Sequence, residues 1–175
     1  GNWPAHLHFQ VMLDLLGNEG EGFEIIQSVT NHGIMAVTAE GVGLCKQMCL
    51  QTNEYIQTRK QFGQPISKFQ VLQHKMVDMF VHQEELVSMA FMCAAKMDSD
   101  GYDIAVAASA AKVQLGKSCK FVGENAVQLH GGMGVTEELS IGDYLKRLMV
   151  IDTLFGDSDW QRRRFAALRY GPQAA

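Results

Sequence analysis

A proline inside a helix removes a hydrogen bond and clashes with the preceding turn, and this chain holds only three: Pro4, Pro65 and Pro172. Two long tracts on either side of Pro65 are thereby free to be helical. The ten methionines and the many alanines suit helices, where unbranched side chains lose little rotamer freedom. With 175 residues, 47% of them hydrophobic and 19% charged, the chain is too apolar to be disordered and long enough to own a core. A net charge of −4 argues against a nucleic-acid binder, whose footprint is basic. The charge-free stretch from Ile25 to Ala39 carries Gln27, Ser28, Thr30, Asn31 and His32, so no membrane span is expected. No signal-peptide pattern opens the chain, and the expected location is cytoplasmic.

Apolar residues recur at helical spacing from Phe23 to about Lys60, and Gln61-Phe62-Gly63-Gln64-Pro65 marks a turn. Ser67 stands three residues before Gln70, which predicts a capping box for a second helix whose buried stripe runs from Phe69 to Met97. A third helix is predicted from about Tyr102 to Leu129, stopped by Gly131-Gly132-Met133-Gly134, then a shorter piece from Thr136 to Val150. Ser158 with Gln161 predicts another box and a last helix towards Tyr170. Long helices joined by short loops fold back on each other, so the expected class is all-α, an antiparallel four-helix bundle. Only the opening segment differs: Leu7 to Leu13 reads as a strand with nothing to pair against.

Most site chemistry is missing. No Glu-x-x-His occurs, there is no P-loop, GxSxG or strand-following GxGxxG, and His6 with His8 lacks further ligands, so no metal site is expected. Cys45, Cys49, Cys93 and Cys119 fit neither zinc nor disulfide spacing and read as reduced, packed thiols. What remains is positional. The Gln128 to Gly134 run is either a helix stop or a place where a cofactor approaches the backbone. Arg59-Lys60 either faces the helix macrodipole or clamps an anion.

Arg59-Lys60-Gln61-Phe62-Gly63, then Phe69-Gln70, then Gln128-Leu129-His130-Gly131-Gly132-Met133-Gly134 resemble, in order and separation, the C-terminal domain of the acyl-CoA dehydrogenase family. The likeness covers about Gly22 to Arg169. It implies a C-terminal bundle over 22–175, preceded over 1–21 by the remnant of a middle β-domain and a linker. It also implies a flavoprotein oxidoreductase: FAD in the full-length protein, absent from this fragment alone, oxidising an acyl-CoA thioester between its α and β carbons. An electron-transfer flavoprotein or similar acceptor and a homo-oligomer or hetero-oligomer are the implied partners. By that likeness Arg59 meets the FAD pyrophosphate with Gln61 and Phe62 beside it. Phe69 and Gln70 lie near the cofactor, and Gln128, Gly131 and Gly132 admit its adenine end.

The family's catalytic base is where the chain departs. A glutamate is usual before Gly-Thr-Ser-Gln-x-Gln-Arg, but aligned on Gln161-Arg162 this chain has Phe155; the alternative position, on the first helix, is Gly33. Neither residue accepts a proton. Asp157 is the nearest candidate, with Asp152, Asp159 and Glu40 further away. The alternative expectation is therefore a non-catalytic subunit whose partner supplies the base.

Overall fold

The computed structural model describes residues 17–99 and 101–171; the expected strand over 7–13 and the two histidines beside it lie outside them. Five helices follow in order: α1 (Gly22–Thr58), α2 (Gln70–Ala95), α3 (Gly101–His130), α4 (Ile141–Thr153) and α5 (Ser158–Tyr170). Between α1 and α2 the strands β1 (Lys60–Gln61) and β2 (Gln64–Pro65) form a short antiparallel hairpin. Its turn residues Phe62 (φ 53°) and Gly63 (φ 80°) both lie at positive φ, the pattern of a type I′ turn.

Cross-helix contacts fix the directions. Lys75 donates to Asn125 (3.1 Å), Ser118 to the His82 carbonyl (2.8 Å) and Gln114 to Glu85 (2.8 Å), so α2 runs antiparallel to α3. The Cys45 and Cys119 sulfurs meet at 3.9 Å and the Tyr55 ring stacks on His130, so α1 runs parallel to α3. A side chain on Gly41 would collide with Leu115, which makes this glycine a point of close approach between the two. The fourth position of the bundle is shared. Against one half of α3 lies α4, through Leu145 at Gly123 and Lys112 on the Asp152 carbonyl (2.8 Å). Against the other lies α5, through Arg164 on Ser109 (3.1 Å) and Tyr102 on the Leu168 carbonyl (2.8 Å). The expected four-helix bundle thus exists as four positions filled by five helices, and the corner 154–157 is the break.

Ile34, Met48, Met79, Leu86, Leu115, Val122, Ile141, Leu148 and Ile151 are fully or almost fully buried and form the core. All four cysteines are free and buried with them, as expected. The contact with Cys119 and burial push the Cys45 thiol far above its ordinary value, and burial pushes Cys49 up to about 12. Such thiols stay protonated and pack as apolar groups.

Helix starts differ from expectation. Residues 66–68 form a 3₁₀ turn that swallows Ser67, so α2 starts at Gln70 behind Phe69 and no side chain caps it. Gln73 bonds the Ser67 carbonyl instead (2.8 Å). At α5 the cap moves one residue back: Asp157 accepts the Trp160 N–H (2.8 Å), while Gln161 donates to the Phe155 carbonyl (2.6 Å). A second 3₁₀ turn over Gly131–Val135 delays α4 to Ile141.

Glu40 joins α1 to α4 through a two-pronged pair with Arg147 (2.6 and 2.9 Å), and the guanidinium holds its carboxyl below the ordinary value of 4.5. A depressed carboxylate contributes stability above its unfolded pKa and loses it as pH falls through the folded one. Arg147→Gln is therefore expected to lower the melting temperature at pH 7, with a gap from wild type that closes as pH drops below 4.5. Thermal melts of both proteins from pH 7 downward check this; a gap independent of pH would show that the pair contributes nothing.

Candidate functional site

At the end of the bundle where α1 and α3 finish, one shallow depression of about 430 Å³ is lined by Arg59, Gln61, Gln128, Gly131 and Gly132. The local fold explains how residues distant in sequence arrive there. The Arg59 backbone N–H closes α1 on Tyr55, and its carbonyl accepts the Ile66 N–H, which ties the hairpin back to the helix. The Tyr55 hydroxyl reaches the His130 carbonyl (3.3 Å), and His130 Nδ1 donates to the Ala126 carbonyl (2.8 Å), so the two helix ends are locked together. Arg59 is exposed and makes no ion pair among the described residues. A free guanidinium over a concave surface suits a phosphate.

The glycines divide by role. Gly131 takes φ 61°, the reversal that stops α3, and a side chain on Gly134 would strike the Val127 carbonyl (2.8 Å). Both are needed by the turn. Gly132 has neither a positive φ nor a neighbour within 4 Å, so nothing among the described residues accounts for it. It leaves bare backbone at the rim, where a flat ring can approach.

Three of the expected site residues lie outside this depression. Phe62 is 92% exposed at the hairpin tip and packs edge-to-face on Phe69, with ring centroids 6.1 Å apart. Gln70 is exposed on the first turn of α2 beside them. Phe62 and Phe69 form a neighbouring aromatic knob that joins the hairpin tip to the start of α2.

The two vacant base positions touch each other. A Cβ on Gly33 would lie 2.5 Å from Phe155 Cζ, so the ring rests on the bare backbone of α1. Phe155 sits at φ 58°, a strained conformation for a residue of its size, followed by Gly156 at φ 87°. The nearby carboxylates are all committed elsewhere. Asp157 caps α5, Asp159 pairs with Arg162 (2.9 Å), Asp152 accepts from Ser158 (3.1 Å) and Glu40 holds Arg147.

Sequence reasoning passed over the groups that hold this corner. Lys112 is fully buried, its Nζ on the Asp152 carbonyl (2.8 Å) and 3.9 Å from that carboxylate; burial pulls its pKa below the ordinary 10.5. Gln161 is fully buried too, its side-chain carbonyl oxygen without a partner among the described residues. Arg164 reaches between helices to Asn31 (2.7 Å) and Ser109 (3.1 Å). Lys112 continues the Ala105, Ala108, Lys112, Leu115, Cys119 spacing, which marks it as inward-facing. Among the described residues no cluster of three or more His, Cys, Asp or Glu could hold a metal, and no helix is long and apolar enough to cross a membrane.

The family profile described as "Acyl-CoA dehydrogenase, C-terminal domain" matches residues 20–168, and the chain belongs to the acyl-CoA dehydrogenase family. It is similar to the very long-chain specific acyl-CoA dehydrogenase of Mus musculus mitochondria, 29% identical over 156 residues, covering 89% of this chain and 24% of that one. The short-chain specific acyl-CoA dehydrogenase of Megasphaera elsdenii is 29% identical over 148 residues, 85% of this chain and 38% of its own. The solved butyryl-CoA dehydrogenase of Megasphaera elsdenii superposes with a TM-score of 0.80 at 28% identity, over 86% of this chain and 39% of that one. A structure described as an FAD-dependent dehydrogenase superposes with a TM-score of 0.82 at 27% identity, over 86% and 40%. The chain thus spans between about a quarter and two-fifths of the length of these relatives.

Proposed function

We propose that this chain is the C-terminal helical domain of an FAD-dependent acyl-CoA dehydrogenase, and that its depression borders the adenosine-pyrophosphate end of the cofactor. One observation carries the reading: Arg59 and the Gln128–Gly132 rim, far apart in sequence, line one hollow. Arg59 supplies a positive fork for the pyrophosphate, Gln61 and Gln128 offer amide donors and acceptors, and Gly132 lets the adenine lie against backbone. The flavin, when bound, takes the hydride that leaves the β-carbon of an acyl-CoA thioester. Residues 1–21 fit the end of a preceding β-domain with its linker. Acyl-CoA as substrate, an electron-transfer flavoprotein or similar acceptor, and a cytoplasmic location complete the proposal.

The bundle's geometry supports an oligomer. Gly33 and Arg59 stand 26 residues apart along α1, about 39 Å at roughly 1.5 Å per residue. An extended FAD is shorter than that, so the corner at Phe155 and the hollow at Arg59 serve different FAD molecules. Each copy then finishes a site belonging to another.

Phe155 on Gly33 favours a second reading, the non-catalytic subunit whose partner chain supplies the base. The ring fills the space between the two positions, and the carboxylates around it are committed elsewhere.

The first reading is tested in the full-length flavoprotein by Arg59→Ala combined with Gly132→Leu. We expect retained flavin to fall at least about ten-fold, from loss of a charge-assisted contact and blockage of the rim. Absorbance at the flavin band after gel filtration, with circular dichroism to confirm folding, measures it; stoichiometric flavin in the folded double variant would overturn the reading.

A further inference from the structure

His130 ends α3 at the hollow, and the lock between the helix ends uses only part of it. The residue is 4% exposed and lines the depression beside Gly131 and Gly132. Its Nδ1 stands 2.8 Å from the Ala126 carbonyl. A carbonyl only accepts, so Nδ1 carries a proton. In a neutral imidazole Nε2 is then a lone-pair acceptor. Nε2 makes no hydrogen bond among the described residues, yet the side-chain atoms sealed there without a partner are His82 Nδ1 and Gln161 Oε1. Nε2 is therefore not sealed. It opens onto accessible surface, and the hollow is the concavity that His130 lines.

This acceptor is held in place. The His130 ring stacks on Tyr55 with centroids 4.4 Å apart, and the Tyr55 hydroxyl holds the His130 carbonyl (3.3 Å). The following turn folds over the base of the side chain: a Cβ on Gly134 would lie 3.1 Å from that of His130. The amides of Gln61 and Gln128 also line the hollow, but both residues are exposed. Arg59 can only donate. The hollow thus pairs a donor-only cation with one preorganised acceptor. A fixed acceptor rejects a ligand that brings no donor, because the lone pair is then covered and left unpaired.

We propose that His130 Nε2 accepts a hydrogen bond from the adenosine half of the bound dinucleotide, either from the exocyclic amine of the purine or from a ribose hydroxyl. It thereby selects which dinucleotides the hollow retains. This rests on the reading of the hollow as a cofactor border. Within that reading Arg59 serves any diphosphate, and His130 adds the demand for a donor on the nucleoside.

The apoprotein of the full-length flavoprotein tests it, at pH 8 where imidazole is ordinarily neutral. It is titrated with FAD, with the hypoxanthine analogue that carries a carbonyl in place of the amine, and with analogues lacking the adenosine 2′- or 3′-hydroxyl. Flavin fluorescence gives each dissociation constant. Wild type is expected to bind one of these analogues at least about ten-fold more weakly than FAD. Which analogue it is identifies the donor. His130→Phe, which keeps a ring against Tyr55, and His130→Leu both remove the acceptor. Each is expected to bring that analogue within about three-fold of FAD, with an unchanged helical circular dichroism spectrum. His130→Gln retains an acceptor atom and is expected to restore part of the discrimination. A histidine that only braced the helix ends would weaken every ligand by one factor and leave their ratios as in wild type. Unchanged ratios in a folded phenylalanine or leucine variant, or a wild type that binds all the analogues as tightly as FAD, overturn the proposal. Arg59→Ala separates this from the reading beneath it, since it is expected to weaken FAD and all the analogues alike. If Arg59→Ala weakens FAD while the His130 variants keep wild-type ratios, only the role of His130 falls. If Arg59→Ala leaves FAD binding intact, the hollow does not border the cofactor and both fall.

Discussion

Lys112→Ala is expected to destabilise the fold by about 3 kcal/mol, while Lys112→Met costs about 1 kcal/mol. Lys112 is fully buried on the α3 face that also buries Ala108, Ala111 and Leu115. Its carbon stem fills the space between α3 and the end of α4, and its Nζ is the partner of the Asp152 carbonyl. Alanine leaves a cavity and an unpaired carbonyl together. Methionine fills most of the volume and loses only the hydrogen bond, and the removal of a buried cation partly offsets that loss. The pH dependence separates charge from packing. Burial lowers the lysine's pKa in the folded state, so in the window between that value and the ordinary 10.5 the unfolded chain holds a proton the folded one lacks. Stability from this group then rises with pH through the window, and the penalty is complete only below it. Wild type is accordingly expected to gain on Lys112→Met as the pH of urea titrations moves from neutral towards 10.5. If alanine costs no more than methionine, or the two curves stay parallel in pH, Lys112 does not hold the corner as described.

The helices were legible because their information is local. Periodicity located the five segments, and α5 begins at Ser158 and ends at Tyr170, as its pattern suggests. Starts failed where two signals compete within a turn. Asp157 precedes Ser158 and is at least as strong a cap, so it takes the Trp160 N–H. Ser67 lost its capping role because the 3₁₀ turn that follows Pro65 already encloses it. Glycine counts were legible only as a total: of Gly131, Gly132 and Gly134, the turn consumes two and does not account for Gly132. The hollow around Arg59 was foreseeable by family likeness, yet the placement of Phe62, Phe69 and Gln70 outside it was not. The hairpin's direction depends on a turn with two positive φ angles, one of them on a phenylalanine. Least legible was the contact of Phe155 with Gly33. No periodic pattern links them, and it arises only because α4 and α5 share one bundle position and break opposite the first third of α1.

That contact yields the sharpest functional expectation. In the full-length flavoprotein, wild type is expected to bind acyl-CoA, seen as a perturbed flavin spectrum, without rapid anaerobic bleaching. Phe155→Glu restores a carboxylate at the corner and is expected to accelerate bleaching by roughly 10²- to 10⁴-fold, the range of a positioned general base. The backbone there already holds a non-glycine residue at φ 58°, and Phe155 is 40% exposed, so the substitution adds little strain and no deep burial. Gly33→Glu is expected to fail at the same task. Its Cβ would meet the Phe155 ring at 2.5 Å, so the side chain cannot be seated until the ring is gone. Gly33→Glu combined with Phe155→Gly removes the ring and should recover part of the gain. The pattern of gain, failure and partial recovery distinguishes a missing proton acceptor from a defect in binding, since all variants are expected to keep the perturbed spectrum. A wild-type protein that bleaches as fast as Phe155→Glu would mean that the proton leaves by another route. The ring at the corner would then not be what withholds the base, and the proposal for the Arg59 hollow would stand or fall on its own test.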